Sequence, residues 1–178
     1  MLFVLRSVFR CSPEELFAFH ERPEALPLLS PKDGSVRVVK APASLRVGEE
    51  AIVKVGFGPL RATWVARHTA YDPPRMFVDE QVSGPFRSWR HEHRIEACPE
   101  GAALTDEITF ELPAGPLGRL VAPLVVRMLR KSFEARHAAT DHQHPLRARR
   151  RPELRLPAQL VADHRIDRAD RPADHVRH

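Results

Sequence analysis

The sequence predicts an α+β domain in which a curved antiparallel sheet of about seven strands wraps around a long C-terminal helix. Alternating polarity near the start predicts one strand, and six further segments with a period of two follow between residues 35 and 112. After residue 116 the apolar residues recur at helical spacing. Short turns separate the six segments, and antiparallel hairpins are the economical connection between strands so close in sequence.

The chain starts with a predicted strand and two short helices. Residues 3–10 alternate in polarity, which predicts the strand. Ser12 supplies a capping hydroxyl and Pro13 suits the first position of a helix, so a helix is expected from there to about His20. Residues 23–30 predict a second, proline-interrupted helical turn.

Six strands are predicted next, and Gly, Pro and Asp residues mark the turns between them. Because each turn is short, consecutive strands are expected to be neighbours in a meander. The predicted strands are Ser35–Lys40, Ala51–Phe57, Ala62–Tyr71, Met76–Ser83, Ser88–Ala97 and Ala103–Leu112.

The last segment predicts a long amphipathic helix. Its apolar residues form one broad face, and Arg and Lys side chains line the other side. Pro123 lies on the polar side, where it removes one backbone hydrogen bond and should kink the helix or mark its first turn. The apolar face, which is expected to pack on the sheet, comprises Leu117, Leu120, Val121, Leu124, Val125, Met128, Leu129 and Phe133.

The net charge of +5 is distributed unevenly along the 178 residues. From Ala138 onward nine Arg accompany six acidic residues, whereas the preceding part holds 19 basic and 17 acidic groups. Residues 1–140 are therefore predicted to form one ligand-binding domain, and residues 141–178 a disordered tail rich in Arg, His and Pro. Such a tail could associate with nucleic acid or an anionic membrane through counterion release, or remain a solvated extension. No specific nucleic-acid partner is expected.

Several function classes find no support in the sequence. No segment reaches the roughly 18 apolar residues of a membrane span, and residues 1–9 lack a small-residue cleavage site, so a cytoplasmic protein is expected. Cys11 and Cys98 provide neither a disulfide framework nor a zinc ligand pattern. The sequence contains no phosphate-binding Gly loop, nucleotide fingerprint or activated nucleophile motif.

Residues 1–140 resemble a known superfamily in their element order and in one segment. Phe77–His93 reads FVDEQVSGPFRSWRHEH and is followed by Thr105-Asp106-Glu107 and Leu112-Pro113. In these features the chain is similar to the START-like (SRPBCC) superfamily, which includes polyketide cyclases and dehydrases and coenzyme Q-binding chaperones. The resemblance implies the helix-grip fold and a hydrophobic ligand. It implies no metal and no cofactor, and it leaves enzymatic activity open because the superfamily contains binders, carriers and enzymes.

Alternation along the central hairpin predicts a polar patch on the inner face of the sheet. In residues 89–96 the even positions are charged and are expected to face solvent, so His91 and His93 should face the helix. Asp106 shares its face with apolar neighbours on the next strand and should also point inward. With Gln81 opposite Trp89, the expected register pairs are Asp79 with His91 and Phe77 with His93.

Three explanations for this polar patch stay open. The groups could form a satisfied structural network, or they could orient a partly polar ligand in a cavity between sheet and helix. His91, His93 and Asp79 could also hold a metal, because two imidazoles and a carboxylate would lie on one face. Unpaired, such buried polar atoms would cost on the order of 1–3 kcal/mol each. The predicted inward polar groups are Asp79, Gln81, His91, His93 and Asp106.

The favoured function is binding or transport of a hydrophobic small molecule or lipid, and ligand identity and oligomeric state stay open. The alternative is a polyketide cyclase or dehydratase that uses His91 with Asp79 or Asp106 as acid and base. The expected cavity lining is Phe57, Phe77, Gln81, Trp89, His91, His93, Phe110, Leu124 and Met128.

Overall fold

The fold is that of a computed structural model, which describes residues 1–56, 58–59, 61–113 and 115–143, except the side chains of residues 116, 117, 119 and 143. Its element order is the predicted one: a strand, two short helices, six strands and a long helix. The elements are β1 Leu2–Phe9, α1 Pro13–His20, α2 Ala25–Leu29, β2 Val36–Lys40, β3 Glu50–Val55, β4 Ala62–Asp72, β5 Met76–Ser83, β6 Ser88–Cys98, β7 Gly101–Glu111 and α3 Gly115–Gln143.

All seven strands form one antiparallel sheet in the order β1-β7-β6-β5-β4-β3-β2. The six later strands are a meander, and β1 lies beside the last of them. This confirms the predicted fold class. The predicted hairpin register is also confirmed, because Asp79 lies opposite His91 and Phe77 lies opposite His93.

Local sequence explains how the N-terminal segment turns from β1 into α1. Ser12 Oγ accepts from the Glu15 amide at 3.2 Å, and the Glu15 carboxylate accepts from the Ser12 amide at 2.9 Å. This reciprocal cap satisfies two amides that the first turn would otherwise leave free. The β6–β7 turn passes close to the end of β1 at Gly101, where a Cβ would lie 2.3 Å from the Phe9 carbonyl oxygen.

The inner face of the sheet carries two apolar clusters with a polar band between them. Along β7, Leu104 belongs to the first cluster and Ile108 to the second, and Asp106 lies between them on the same face. Along β6, Ile95 belongs to the first cluster, His91 and His93 to the polar band, and Trp89 to the second cluster. The first cluster includes Phe9, Leu16, Phe17, Leu45 and Phe77, and the second includes Phe3, Phe110 and Phe133.

The helix α3 packs on this inner face with only part of the apolar face that the hydropathy pattern predicts. Phe133 is buried, and Val125 and Leu129 from the predicted face pack beside it together with Val126. Farther along, His137 and Thr140 are buried too, so the packed side is partly polar. The reason is that the sheet offers polar groups at this position, which a hydropathy pattern does not register. The helix also runs through Pro123, which therefore is not its first turn.

The predicted apolar face is wrong at four positions, Leu120, Val121, Leu124 and Met128, because these side chains point away from the sheet. Leu120 and Leu124 are 77% and 60% exposed, and Met128 is 58% exposed. Val121 is exposed as well. These side chains cannot line a space between helix and sheet.

The tail hypotheses concern a part of the chain outside the described residues. The predicted boundary at residue 140 falls within α3, which continues to Gln143, and the predicted disordered tail lies almost entirely beyond it. Among the described residues, no helix combines the length and apolar character that crossing a bilayer requires.

Candidate functional site

The polar band on the inner face is a compact group of titratable side chains, here called the His–Asp cluster. Strands β5, β6 and β7 supply two carboxylates and two imidazoles, and α3 supplies a third imidazole from above. Asp106 is 2% exposed and His91 is 3% exposed, so the cluster is shielded from water. The members of the His–Asp cluster are Asp79, His91, His93, Asp106 and His137.

Asp106 is the centre of this cluster. Its Oδ1 lies 3.1 Å from His91 Nε2 and 2.8 Å from His93 Nδ1, although the second contact lacks hydrogen-bond alignment. Its Oδ2 accepts from His137 Nε2 at 2.7 Å. Ser7 Oγ lies 2.7 Å from the other nitrogen of His137 and fixes that ring. The helix α3 is thereby joined to the sheet through a polar contact.

Asp79 faces the same two imidazoles from the opposite side. Its Oδ2 lies 3.3 Å from His91 Nδ1 and 3.3 Å from His93 Nε2. Each of these two imidazoles therefore stands between two carboxylates. The rings of His91 and His93 are themselves close, with centroids 3.7 Å apart.

The electrostatics of the cluster follow from this arrangement. Burial would lower the pKa of His91, but the charge of Asp79 and hydrogen bonds to Asp106 and Asp79 outweigh it and raise that pKa to about 9. Burial would raise the pKa of Asp79, but the charge of His91 and hydrogen bonds from His91 and His93 hold it well below its usual range. The pKa of Asp106 also lies well below its usual range, because the imidazoles around it outweigh burial. His91 is thus an imidazolium between two carboxylates at neutral pH.

Two further histidines near the cluster stay neutral. Burial lowers the pKa of His20 to about 4, and its Nδ1–H donates to the Leu16 carbonyl at 2.8 Å. Burial also lowers the pKa of His68, whose Nδ1 has no hydrogen-bond partner among the described residues. Both can therefore act as acceptors or ligands rather than as charges.

A cavity of about 200 Å³ lies over the cluster, between the sheet, α2 and α3. Its floor includes Asp79, His91 and His93, and its walls are mostly apolar. The apolar walls are formed chiefly by Leu29, Leu45, Val53, Val55, Trp64, Phe77, Trp89, Leu129 and Phe133, and further polar lining comes from Arg22, Arg136, His20, His68 and Ser132.

Two indole groups in the cavity wall lack hydrogen-bond partners. Trp64 and Trp89 meet edge to face with centroids 4.8 Å apart, and both line the cavity. Neither Nε1–H has an acceptor among the described residues, although both atoms are buried. A buried donor without an acceptor is costly, and a ligand oxygen that reached either Nε1–H would remove that cost.

The structure places the sequence-predicted residues unequally around this cavity. Phe77, Trp89, His91, His93 and Asp79 line it, whereas Asp106 lies behind them and contacts the imidazoles. Each of the remaining predicted lining residues lies elsewhere or outside the described part of the chain.

Four of these residues correct the expected lining. Gln81 binds the backbone of Phe86 through both ends of its amide, at 2.8 and 3.3 Å, and so supports the β5–β6 turn. Phe110 is fully buried in the second apolar cluster. Leu124 and Met128 lie on the exposed side of α3, and Phe57 lies outside the described residues.

Sequence reasoning missed four titratable residues that the fold brings to the site, and it also missed Trp64. His137 follows Phe133 by four positions, so helical spacing could have placed both on the same side of α3. His20 similarly follows Leu16 by four positions in α1. Strand alternation alone could not have identified His68, because β4 contains two register shifts. Arg136 had no distinguishing signal.

An open antiparallel sheet curved over a cavity with apolar walls and a polar floor defines a class of domains built to hold hydrophobic ligands. The chain belongs to the family described as polyketide cyclase / dehydrase and lipid transport, whose model matches residues 10–137. The family and the fold support hydrophobic ligand binding in general. No curated protein has a sequence that matches this chain.

Similar solved structures cover most of the chain at low sequence identity. TTHA0849 from Thermus thermophilus is 16% identical, has a TM-score of 0.64, and the match covers 80% of this chain and 96% of that one. Ara h 8.0201 is 18% identical with a TM-score of 0.57 and coverage of 79% and 97%. The major latex-like protein 151 of Panax ginseng is 13% identical with a TM-score of 0.57 and coverage of 81% and 97%. Such likeness shows the fold alone.

Proposed function

We propose that the protein binds or transports a hydrophobic small molecule that carries an oxygen acceptor, held in the cavity between the sheet and α3. The observation that carries the proposal is the pair of buried indole donors, Trp64 and Trp89, in an otherwise apolar wall. Apolar walls supply affinity, and a few convergent polar groups supply orientation. A carbonyl or ether oxygen is the group that two free N–H donors select.

The size of the cavity limits the part of the ligand that it can enclose. An engineered apolar cavity of about 150 Å³ holds one benzene molecule. A cavity of about 200 Å³ therefore suits a ring-sized body with one or two oxygen substituents. A longer lipid or polyketide chain would have to extend beyond it. Oxygenated aromatic and quinone-like compounds fit this description best.

Intrinsic fluorescence offers a direct test, because the chain contains only two tryptophans and both line the cavity. We expect quinones and aromatic polyketide-like compounds to change the tryptophan emission with saturation. Trp64→Phe should weaken binding about 5- to 10-fold, since it removes one hydrogen bond and keeps an aromatic ring. Met128→Ala, on the exposed side of α3, should leave binding unchanged.

The same experiment can refute the proposal. If no compound in a panel of quinones, aromatic polyketides and fatty acids alters the emission, and native mass spectrometry finds no co-purified small molecule, the binding proposal fails. Equal affinities for the wild type and Trp64→Phe would remove the role assigned to the indole donor.

A second candidate function is acid–base catalysis of a cyclisation or dehydration. The observation in its favour is that His91 and Asp79 reach the cavity while Asp106 holds His91 from behind. An imidazolium that a carboxylate holds from behind and that faces a bound substrate can act as a general acid. His91→Ala should abolish turnover of a cyclisable substrate while tryptophan emission still reports ligand binding. Unchanged turnover would rule out this role.

A further inference from the structure

Three potential metal ligands converge on the floor of the cavity. Asp79 Oδ2 lies 3.3 Å from His91 Nδ1 and 3.3 Å from His93 Nε2, and each of the three residues offers a ligand atom within 4.8 Å of those of the other two. A tetrahedral ion with bonds of about 2.0–2.1 Å keeps its ligand atoms about 3.3–3.4 Å apart. Two of the three separations therefore already have the length that such an ion requires.

The opposite nitrogen of each imidazole meets a single buried carboxylate. Asp106 Oδ1 lies 3.1 Å from His91 Nε2 and 2.8 Å from His93 Nδ1. Metal-bound histidines usually donate their second ring N–H to a carboxylate, which fixes the tautomer and turns the free nitrogen toward the metal. Asp106 stands in that relation to His91, whereas His93 Nδ1 is at a comparable distance but is not aligned for a hydrogen bond. His137, which Ser7 contacts, holds Asp106 in turn.

A further imidazole, that of His68, lines the cavity on the strand beside Asp79. His68 is the cross-strand partner of Asp79. It is 7% exposed, and its Nδ1 has no hydrogen-bond partner among the described residues. A buried ring nitrogen left without a partner is rare in a network that serves structure alone. It is available to a metal or to a water bound to one.

The charge of the cluster also suits a divalent cation. Two carboxylates, Asp79 and Asp106, flank the same two imidazoles from opposite sides, with side-chain exposures of 18% and 3%. Carboxylates buried together are costly unless cations accompany them. A divalent ion would displace the proton that His91 carries toward Asp79 and would then take its place as the accompanying cation, bound directly by Asp79 and linked to Asp106 through the imidazoles.

From this geometry we propose that the cavity floor is a binding site for a divalent first-row transition-metal ion, with Asp79, His91 and His93 as ligands and Asp106 as their positioning residue. Two imidazoles and one carboxylate are the donor set of zinc and non-haem iron sites that keep coordination positions open. The open positions would face the cavity, where they could receive water or an oxygen of a bound molecule. The metal site does not depend on the hydrophobic ligand proposed above.

Metal titration of the full-length, tag-free protein tests this proposal. After EDTA treatment and desalting, Zn²⁺ and Co²⁺ are titrated by calorimetry, and Co²⁺ absorption reports the coordination geometry. We expect one tight site with the intense visible absorption of four-coordinate Co²⁺. Asp79→Asn and His93→Gln should each weaken binding by at least about 100-fold, and Asp106→Asn by about 10- to 100-fold.

His142→Gln is the matched control, since it removes an exposed histidine from α3 and should leave the tight site intact. Circular dichroism shows which variants fold. If a variant does not fold, the Co²⁺ spectrum of the wild type still tests the proposal. Metal binding of equal strength in the wild type, Asp79→Asn and His93→Gln would assign it to histidines elsewhere and overturn the proposal. The absence of a tight site in the wild type would overturn it too. Binding of the hydrophobic ligand is titrated separately in the presence of EDTA. A failure of metal binding can then be distinguished from a failure of ligand binding.

Discussion

Both faces of β6 carry ionisable side chains, but in contrasting surroundings. On the outer face, Arg90 and Arg94 are exposed and contact Glu92 from either side. On the inner face, His91 and His93 are buried between Asp79 and Asp106. Successive residues of one strand thus belong to a surface ion-pair network and to an enclosed cluster.

The difference shows that the surroundings, rather than the residue types, decide how much an ion pair contributes to stability and how far the pKa values of its members shift. Water and salt screen the outer pairs, so each of them contributes little to stability. The inner groups have lost their hydration, so their pKa values shift and the charged form of each group is stabilised by its neighbours in the cluster. Glu92 combines features of both faces. Strand alternation predicts that it faces solvent, yet it is buried because the side chains of Arg90 and Arg94 cover it.

The inner cluster also interrupts the hydrophobic core. Asp106 separates Leu104 from Ile108 at a position where an apolar residue would join the two apolar clusters. Well-packed apolar replacements of buried ion pairs are often neutral or stabilising. A polar band that divides a core therefore contributes weakly to stability as a whole, which supports a role in binding or chemistry.

The largest expected effect is that of Asp106→Asn. Removing this carboxylate leaves the buried imidazolium of His91 with one anionic partner and weakens the contact with His137. We expect the free energy of unfolding to fall by about 3–5 kcal/mol, measured by urea denaturation. Glu107→Gln, one residue along on the exposed face, should change it by less than about 0.5 kcal/mol. Similar losses in the two variants would contradict the contrast between the faces.

A smaller loss is expected where the inner face is purely apolar. Ile108 is fully buried in the second apolar cluster, so Ile108→Val should cost up to about 1.5 kcal/mol. Val4→Thr, which changes an exposed residue of β1, should cost less than about 0.5 kcal/mol. A destabilisation by Ile108→Val greater than that of Asp106→Asn would show that packing, rather than charge, dominates this face.

Ser7→Ala tests the link between the sheet and α3. The hydroxyl lies 2.7 Å from His137 Nδ1, and its loss should cost about 1 kcal/mol, measured by thermal unfolding. Ser83→Ala, at an exposed position of β5, serves as the control and should be near neutral. A neutral result for Ser7→Ala would mean that His137 finds another partner when the hydroxyl is removed.

The smallest effect is expected on the outer face. Glu80 contacts Arg90 at 3.6 Å, and both side chains are nearly half exposed. Glu80→Gln should reduce the free energy of unfolding by less than about 0.5 kcal/mol, and the difference should shrink further at about 1 M salt. A larger, salt-insensitive loss would place this pair in the same class as the inner cluster.

Much of the site follows from the alternation of a few residues. The period of two in residues 89–96 and the short turn before them determined that His91 and His93 face inward and that Asp79 lies opposite His91. The sequence also predicted the α+β order of elements, because each boundary carries its own cap or turn residues. Cytoplasmic location and the boundary at residue 140 stay predictions from the sequence.

Only the tertiary structure decided which residues from distant segments complete the site. His137 and Ser7 are far apart in sequence, and they meet because α3 crosses the face on which β1 lies beside β7. The side of α3 that packs inward was set by the polar sheet beneath it, so Leu124 and Met128 became surface residues. Local periodicity specifies the face of each element, but the rotation of a helix on a sheet depends on contacts between distant segments, which periodicity does not encode.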